Sequence, residues 1–299
     1  MRRQDDRNRV PMTRRSLLRS TAAAAATVGA IDPSGAAGAD DPPRGTAVSR
    51  GRLKQSACRW CYGRLPIDEL ASAASEMGLV GLDLMRPDEF DALKRHGLVC
   101  TMTSTHGLAV GLNDPKNHED CLKAIHEAIE ATAKEGWRNV ITFSGNRNGM
   151  DDRAGLEHCA KALREVVPEA ERAGVIINME LLNSKVDHPD YMCDRSDWGV
   201  ELVKRVGSDH FKLLYDIYHM QIMEGDIIRT IEANHPYFGH YHTAGNPGRN
   251  ELDDSQELNY PPICRAIVDT GFDGYLAQEF IPKRDPLTSL AEAVALCDV

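Results

Sequence analysis

Four acidic or imidazole side chains stand at the ends of apolar segments in the second half of the chain. They are Glu180 in "VIINME", Asp216 in "FKLLYD", His242 in "FGHYHT" and Glu279 in "GYLAQE". Three carboxylates in one place repel one another unless a proton or a cation neutralises them. Three oxygen donors and one imidazole suit Mn²⁺ or Mg²⁺, and Co²⁺ less well. Zn²⁺ is not favoured, because zinc sites more often use thiolates or several histidines. The set therefore predicts a divalent-metal site.

These side chains can meet only if the segments that carry them are neighbouring strands. From residue 53 onward, short apolar runs alternate with stretches whose apolar residues recur every three or four positions, which is typical of helices with one buried face. The expected strands are 53–58, 80–85, 98–103, 139–144, 175–180, 211–216, 238–243 and 274–279. Eight strands alternating with helices predict an α/β fold, a single-domain (β/α)₈ TIM barrel.

The barrel also explains why reactive groups end the strands. A doubly wound fold would need a glycine-rich phosphate loop after its first strand, but "RWCYGRLP" follows it here. Active sites of TIM barrels lie at the C-terminal ends of the strands. Because side chains alternate along a strand, all four groups can point inward at the same height.

The first forty residues differ in composition from the rest. Twin arginines in "TRRSLLRS" precede the weakly apolar "TAAAAATVGA", and "AGA" at 37–39 resembles a cleavage site. This order predicts a twin-arginine export signal over residues 1–39, a linker over 40–52 and a catalytic domain over 53–299, with a periplasmic or extracytoplasmic location. A disordered basic tail is the alternative. The alanine-rich run is too short and too weakly hydrophobic for a stable membrane span.

Charge and cysteine content narrow the possible partners. Removal of residues 1–39 takes away seven Arg and three Asp, which leaves 28 basic and 42 acidic residues and a net charge near −14. This negative charge argues against nucleic-acid binding, which needs a basic surface. We expect a small-molecule partner instead. Eight cysteines are spread along the chain, and their spacing does not define a pairing. "CRWC" has the spacing of a redox or zinc pair, but no second pair completes a four-thiolate site.

Four segments resemble a known family: "INMELLN", "LLYDIYHMQIMEGD", "GHYHTAGNPGRNE" and "QELNYPPICRAIVDTGFDGYLAQEFIP". Together they are similar to the hydroxypyruvate isomerase family of the xylose-isomerase-like barrel superfamily, which also contains the ketose 3-epimerases. The resemblance implies that Glu180, Asp216, His242 and Glu279 bind the metal and that the two glutamates transfer the proton. It also implies possible homo-oligomers. Hydroxypyruvate isomerases tend to have Gln at the position of His242, whereas 3-epimerases have His.

The expected chemistry is an intramolecular proton transfer. An α-hydroxy carbonyl substrate, of the hydroxypyruvate or tartronate semialdehyde type, chelates the metal, which acidifies the adjacent C–H. One glutamate removes that proton to give a cis-enediolate, and a carboxylic acid returns a proton to the neighbouring carbon. Return to the same carbon from the opposite face would be epimerisation. The sequence leaves open which glutamate is the base.

Four further residues are expected to bind the substrate. His219 could donate to a substrate oxygen or orient Asp216, which precedes it by three residues. Arg249 could clamp a substrate carboxylate through its planar guanidinium, or cap its own loop if the substrate is a neutral sugar. Trp60 could form a wall of the pocket or pack in the core. His106 lies on the same predicted rim.

Other functions remain as alternatives. A ketose 3-epimerase, or another sugar isomerase, would use the same site. A phosphodiesterase of the endonuclease IV type needs three metals, and the negative charge and the few histidines on strands two to four argue against it. A non-catalytic exported carbohydrate-binding protein would lack one of the glutamates, yet Glu180 and Glu279 are both present.

Overall fold

Parallel strands form the inner wall of the domain. The computed structural model describes residues 46–299, and the predicted export signal with residues 40–45 of the predicted linker lies outside them. The strands are β1 Lys54–Cys58, β2 Gly81–Asp83, β3 Val99–Cys100, β4 Asn139–Thr142, β5 Ile176–Glu180, β6 Phe211–Asp216, β7 Phe238–Thr243 and β8 Tyr275–Gln278.

The strands close into a ring. Their hydrogen-bonded order is β3-β2-β1-β8-β7-β6-β5-β4, and all neighbouring pairs are parallel. The two remaining edges meet through Thr103, whose N–H donates to the carbonyl of Asn139 (2.9 Å) and whose carbonyl accepts from the N–H of Ile141 (3.0 Å). The predicted (β/α)₈ barrel is confirmed.

Helices cover the outside of the ring. They are α1 Ile67–Met77, α2 Phe90–Arg95, α3 His118–Lys134, α4 Asp152–Ala173, α5 Ser196–Val206, α6 Ile217–Met223, α7 Ile227–Asn234, α8 Tyr260–Asp269 and α9 Pro286–Cys297. Helix α4 shows how local sequence sets the limits. The Asp151 carboxylate caps its first amides, and Gly174 ends it at φ 70°, in the left-handed region that glycine adopts easily.

The buried face of α4 follows the helical period. Leu156, Cys159, Leu163, Val166 and Ala170 recur at three- and four-residue spacing and are all buried in the main apolar core. Each large aliphatic side chain removed from water contributes about 1.5–3 kcal/mol. This packing holds the helix layer against the strands and so keeps the strand ends in place.

Strands β6 and β7 have the predicted limits, whereas β2 and β3 are shorter. Leu84 has φ 54°, which breaks the extended conformation immediately after β2. Beyond Leu84, the pairing between the segments that continue β2 and β3 is reduced to an isolated bridge between Met85 and Thr103. Strand β8 ends at Gln278, so Glu279 is the first residue after it.

The described end of the predicted linker bonds to the C-terminal end of the chain. Consecutive amides of Ser49, Arg50 and Gly51 donate to the carboxylate of Asp298 at 2.6, 2.6 and 2.8 Å. All eight cysteines are free thiols, Cys58 and Cys61 included. Among the helices of residues 46–299, none combines the length and the apolar character needed to cross a bilayer.

Candidate active site

The four predicted ligands meet at the C-terminal end of the barrel. Glu180 ends β5, Asp216 ends β6, His242 lies near the end of β7 and Glu279 follows β8. One potential ligand atom from each lies within 4.8 Å of the other three, and all four side chains are buried. The strand register favours this meeting, because Asp216 pairs directly with His242, and His242 pairs with Ala277 of the next strand, two residues before Glu279.

The Nδ1 atom of His242 faces the three carboxylates. It lies 2.9 Å from Glu279 Oε2, 3.5 Å from Glu180 Oε1 and 3.9 Å from Asp216 Oδ2. Within the described residues, the buried Glu180 Oε1 and Asp216 Oδ2 have no hydrogen-bond partner. A buried oxygen without a partner is costly, and a cation between these atoms would remove the cost. Three carboxylates and one imidazole therefore fit a hard divalent ion such as Mn²⁺ or Mg²⁺.

The carboxylates of this cluster differ in proton affinity. Burial raises the pKa of Glu180 and raises that of Asp216 well above its usual value, with the charge of Glu279 adding to the shift at Asp216. Burial acts in the same direction on Glu279, but Arg249 and His242 outweigh it and hold the pKa of Glu279 well below its usual range. Glu279 is thus ionised, while its two neighbours accept protons more readily.

Arg249 reaches the cluster from the loop after β7. Its Nη2 donates to Glu279 Oε2 at 2.6 Å and lies 3.9 Å from Asp216 Oδ2. The guanidinium lies 5.1 Å from the ring centre of Trp60 and 5.6 Å from that of Tyr218, at distances typical of cation–π contacts. The backbone of Arg249 has φ 57°, so the loop holds this residue in a backbone conformation that is unusual for a residue other than glycine.

His219 and Trp60 also contact the predicted ligands. The N–H of His219 donates to Asp216 Oδ1 at 2.8 Å, its Nδ1 lies 2.6 Å from Asn183 Nδ2, and its buried Nε2 lies 3.8 Å from Asp216 Oδ2. Burial, helped by the nearby positive charge of Arg249, lowers the pKa of His219 well below its usual value, so the ring is neutral. Trp60 Nε1 donates to Glu279 Oε1 at 2.8 Å while 45% of the residue stays exposed.

The contacts of His106 lie within its own part of the rim. Its Nε2 is 2.9 Å from Thr142 Oγ1, and its Nδ1 is 3.1 Å from the carbonyl oxygens of Gly107 and of Val110. In the described residues, no hydrogen bond joins it to the four predicted ligands. The structure therefore brings together the four ligands, Arg249, His219 and Trp60, whereas the hydrogen-bond contacts of His106 are to Gly107, Val110 and Thr142.

Sequence reasoning missed Asp83, the last residue of β2. It is fully buried behind His242, with Oδ1 at 3.1 Å from His242 Nε2 and Oδ2 at 3.0 Å from His240 Nε2. Cys58 at the end of β1 lies beside them, with Sγ 3.8 Å from His242 Nε2. Asp83 lies inside the apolar run 80–85 and not at its end, so the strand-end pattern of the four predicted ligands did not single it out. A charged residue within an apolar run was the signal that could have found it.

Comparison with known proteins gives the same family as the fold. The xylose isomerase-like TIM barrel family matches residues 72–297. A 2-oxo-tetronate isomerase from Cupriavidus necator is 36% identical over 173 residues, which are 56% of this chain and 65% of that protein, so this chain spans just under two thirds of it. A human protein provisionally named a hydroxypyruvate isomerase is 31% identical over 255 residues, which are 84% of this chain and 87% of that protein.

Solved structures share the barrel. An AP endonuclease of family 2 from Brucella melitensis superposes with a TM-score of 0.71 at 25% identity, covering 80% of this chain and 97% of that one. A 3-keto-D-glucoside 4-epimerase from E. coli has a TM-score of 0.71 at 20% identity and covers 82% and 98%, a likeness that shows the fold alone. These matches confirm the resemblance predicted from the sequence. With its eight-stranded barrel and a family match over most of its length, the chain belongs to the xylose isomerase-like TIM barrel family.

Proposed function

We propose that this chain is a divalent-metal-dependent isomerase that interconverts a small α-hydroxy carbonyl acid of the hydroxypyruvate and tartronate semialdehyde type. The observation that carries the proposal is the cluster itself, four ligand atoms within 4.8 Å of one another. Two buried oxygens in it lack a hydrogen-bond partner among the described residues. The enzyme class is that of the curated relatives, which are named as isomerases.

The ion would be held by Glu180, Asp216, His242 and Glu279. When bound, it would supply Lewis acidity that polarises the substrate carbonyl and acidifies the neighbouring C–H. The rest of the chemistry belongs to the two glutamates. Glu279, kept ionised by Arg249, accepts the proton from the substrate carbon. The C–H electron pair forms the C=C double bond of a cis-enediolate, and the carbonyl π pair moves onto its oxygen. Glu180, whose pKa burial raises, gives a proton to the adjacent carbon, where the C=C pair becomes the new C–H bond. The proton of the original hydroxyl passes to the former carbonyl oxygen, so the original hydroxyl oxygen becomes the new carbonyl.

The surrounding residues orient the substrate. Arg249 uses one nitrogen on Glu279, while its Nε has no partner in the described part of the chain and is free to donate to a substrate carboxylate. His219 Nε2 is likewise buried without a partner and lies next to Asp216. The rings of Trp60 and Tyr218 both lie within cation–π distance of the guanidinium, and these contacts favour its position beside Glu279.

A ketose 3-epimerase is the second candidate. The observation in its favour is His242, which stands in the cluster where the resemblance implies Gln for hydroxypyruvate isomerases. The same base would remove the proton, and an acid on the opposite face would return it to the same carbon. A non-catalytic carbohydrate-binding protein is disfavoured, because both glutamates lie in the cluster beside His242.

The test is an assay of the purified chain in D₂O with Mn²⁺ or Mg²⁺, against hydroxypyruvate, 2-oxo-tetronate and a panel of ketoses. The proposal expects turnover of an acid, with deuterium at the carbon that gains the proton. Glu279→Gln and Glu180→Gln should each lose about 10²- to 10⁴-fold in rate, the usual contribution of a positioned acid or base. Turnover of ketoses alone would favour the epimerase. Undiminished rates in both variants would exclude either function at this site.

A further inference from the structure

We propose that Asp83 is a positioning residue, which fixes the orientation and the proton of His242 so that Nδ1 faces the ion. The inference rests on the proposed function, because it treats the four-residue cluster as a metal site. Asp83 is fully buried at the end of β2 and lies on the opposite side of the His242 ring from that cluster. No chemistry on the substrate is assigned to it.

The two ring nitrogens of His242 have different neighbours. Nε2 lies 3.1 Å from Asp83 Oδ1, whereas Nδ1 lies 2.9 Å from Glu279 Oε2. Both neighbours are carboxylate oxygens, which can only accept, so the side of the ring decides between the two nitrogens. Nδ1 faces Glu180, Asp216 and Glu279 and is the nitrogen that an ion among them would use, which leaves the single ring proton on Nε2, where Asp83 accepts it. Histidines that bind metals commonly donate their other N–H to a carboxylate, which fixes the ring and makes the ligand more basic.

Asp83 is itself held in place from its far side. Its Oδ2 lies 3.0 Å from His240 Nε2 and 2.5 Å from Thr101 Oγ1, and both of these residues are fully buried. One oxygen is thus anchored while the other faces His242. In the described residues, no Lys or Arg forms a salt bridge with Asp83, only these two histidines. A buried carboxylate without such a cation is costly. The proposed role of orienting His242 gives a physical reason why a carboxylate is buried at this position.

A second ion behind His242 is the competing explanation. Cys58, Asp83 and His242 also have ligand atoms close together, with Cys58 Sγ 3.6 Å from Asp83 Oδ1. That arrangement would require His242 to lose both ring protons and bridge two ions. The two explanations differ in stoichiometry, because the positioning role needs one ion per chain and the competing site needs two.

The experiment compares Mn²⁺ affinity and metal stoichiometry in the parent, Asp83→Leu and Asp83→Asn. Asp83→Leu removes the acceptor, so Mn²⁺ should bind about 10- to 100-fold more weakly, with one ion per chain in the parent. Asp83→Asn keeps one acceptor oxygen, so its Mn²⁺ affinity should lie between that of the parent and that of Asp83→Leu. Asp194→Asn is the matched control, a buried carboxylate paired with Arg147 and in no salt bridge with the four ligands, and it should bind Mn²⁺ like the parent.

A second measurement needs no variant. In Mg²⁺-loaded parent protein with ¹⁵N-labelled histidine, NMR should show His242 protonated at Nε2 and unprotonated at Nδ1. The inference is overturned if Nε2 is the unprotonated nitrogen, if a folded Asp83 variant binds Mn²⁺ as tightly as the parent, or if the parent holds two ions and Asp83→Leu one. If the parent binds no ion, the proposed function falls as well, so the two failures are distinguishable.

Discussion

Neighbouring charges set the proton affinity of each carboxylate in the cluster. Glu279 accepts from Arg249 at 2.6 Å and from Trp60 at 2.8 Å, whereas Glu180 Oε1 has no hydrogen-bond partner among the described residues. A neighbouring cation favours the ionised carboxylate, and burial without one favours the protonated form. Two glutamates of the same barrel end are thereby suited to opposite roles, one as base and the other as acid.

Replacement of Arg249 tests the substrate class. Arg249→Lys keeps the charge but loses the planar fork. We expect KM for hydroxypyruvate to rise roughly 10- to 100-fold, from the loss of a charge-assisted hydrogen bond of about 1.5–3 kcal/mol. KM for a neutral ketose should change little. Steady-state kinetics with Arg195→Lys as control, an exposed arginine paired only with Asp197 among its salt-bridge partners in the described chain, would check this. Equal effects on both substrates would contradict the carboxylate clamp.

Arg249→Ala tests the assignment of the base. Arg249 lowers the pKa of Glu279, so removing it should raise that pKa. Because a base must be ionised to act, the acid limb of the kcat/KM profile should then move to higher pH. An acid limb at the same pH as in the parent would show that Glu279 is not the group that titrates in this profile.

A single carboxylate joins residues 49–51 to the helix layer at the other end of the described chain. Asp298 follows α9 and accepts from three consecutive amides, of which Ser49 and Arg50 are the closest at 2.6 Å. Residues 46–52 also pack on the helical layer, since the N–H of Val48 donates to the carbonyl of Met77 at the end of α1. This segment, expected to be a linker, is therefore bonded to the domain along its described part.

Asp298→Asn should show how much this contact stabilises the fold. Burial alone would raise the pKa of Asp298, but the amides of Arg50, Ser49 and Gly51 outweigh it and lower that pKa. The stabilisation is therefore complete above the pKa of the unfolded chain and is lost as the pH falls through the lower folded pKa. In urea unfolding, the free energy of unfolding of Asp298→Asn should be about 1–2 kcal/mol below that of the parent near neutral pH. This difference should disappear in acid. A deficit independent of pH would contradict this origin.

Buried negative charge concentrates at one end of the barrel. Asp83, Glu180, Asp216 and Glu279 are all buried there, and Arg249 is the arginine that contacts two of them. Like charges in a low-dielectric interior destabilise the folded state. A cation that binds the folded chain but not the unfolded one should stabilise the whole domain.

Removal of the metal should lower the melting temperature of the whole domain. At a Mn²⁺ concentration of 100 times its Kd, binding raises the free energy of unfolding by about 2.7 kcal/mol. For a domain of this size, that corresponds to a rise in Tm of roughly 5–10 °C relative to the EDTA-treated chain. Calorimetry on Asp216→Asn is the control, because this variant should lose most of the shift. A Tm indifferent to Mn²⁺ in the parent would contradict the metal site.

Local patterns in the sequence were sufficient to predict the fold class and to select four side chains that the structure brings together. The two-residue and 3.6-residue periods are properties of neighbouring residues, so strands β6 and β7 could be predicted with their observed limits. Polar groups at strand ends indicated the site, because parallel strands in a barrel bring their C-terminal ends together.

Folding in three dimensions was needed for everything that depends on distant contacts. Asp83 lies 159 positions before His242, and no local pattern pairs them. The same holds for Arg249 beside Glu279, for the ring closure through Thr103 and for the bond from Asp298 to residue 49. These contacts set the pKa order of the glutamates and the orientation of His242. Both are electrostatic effects that change over a few ångströms, so they become visible only when the atoms are placed.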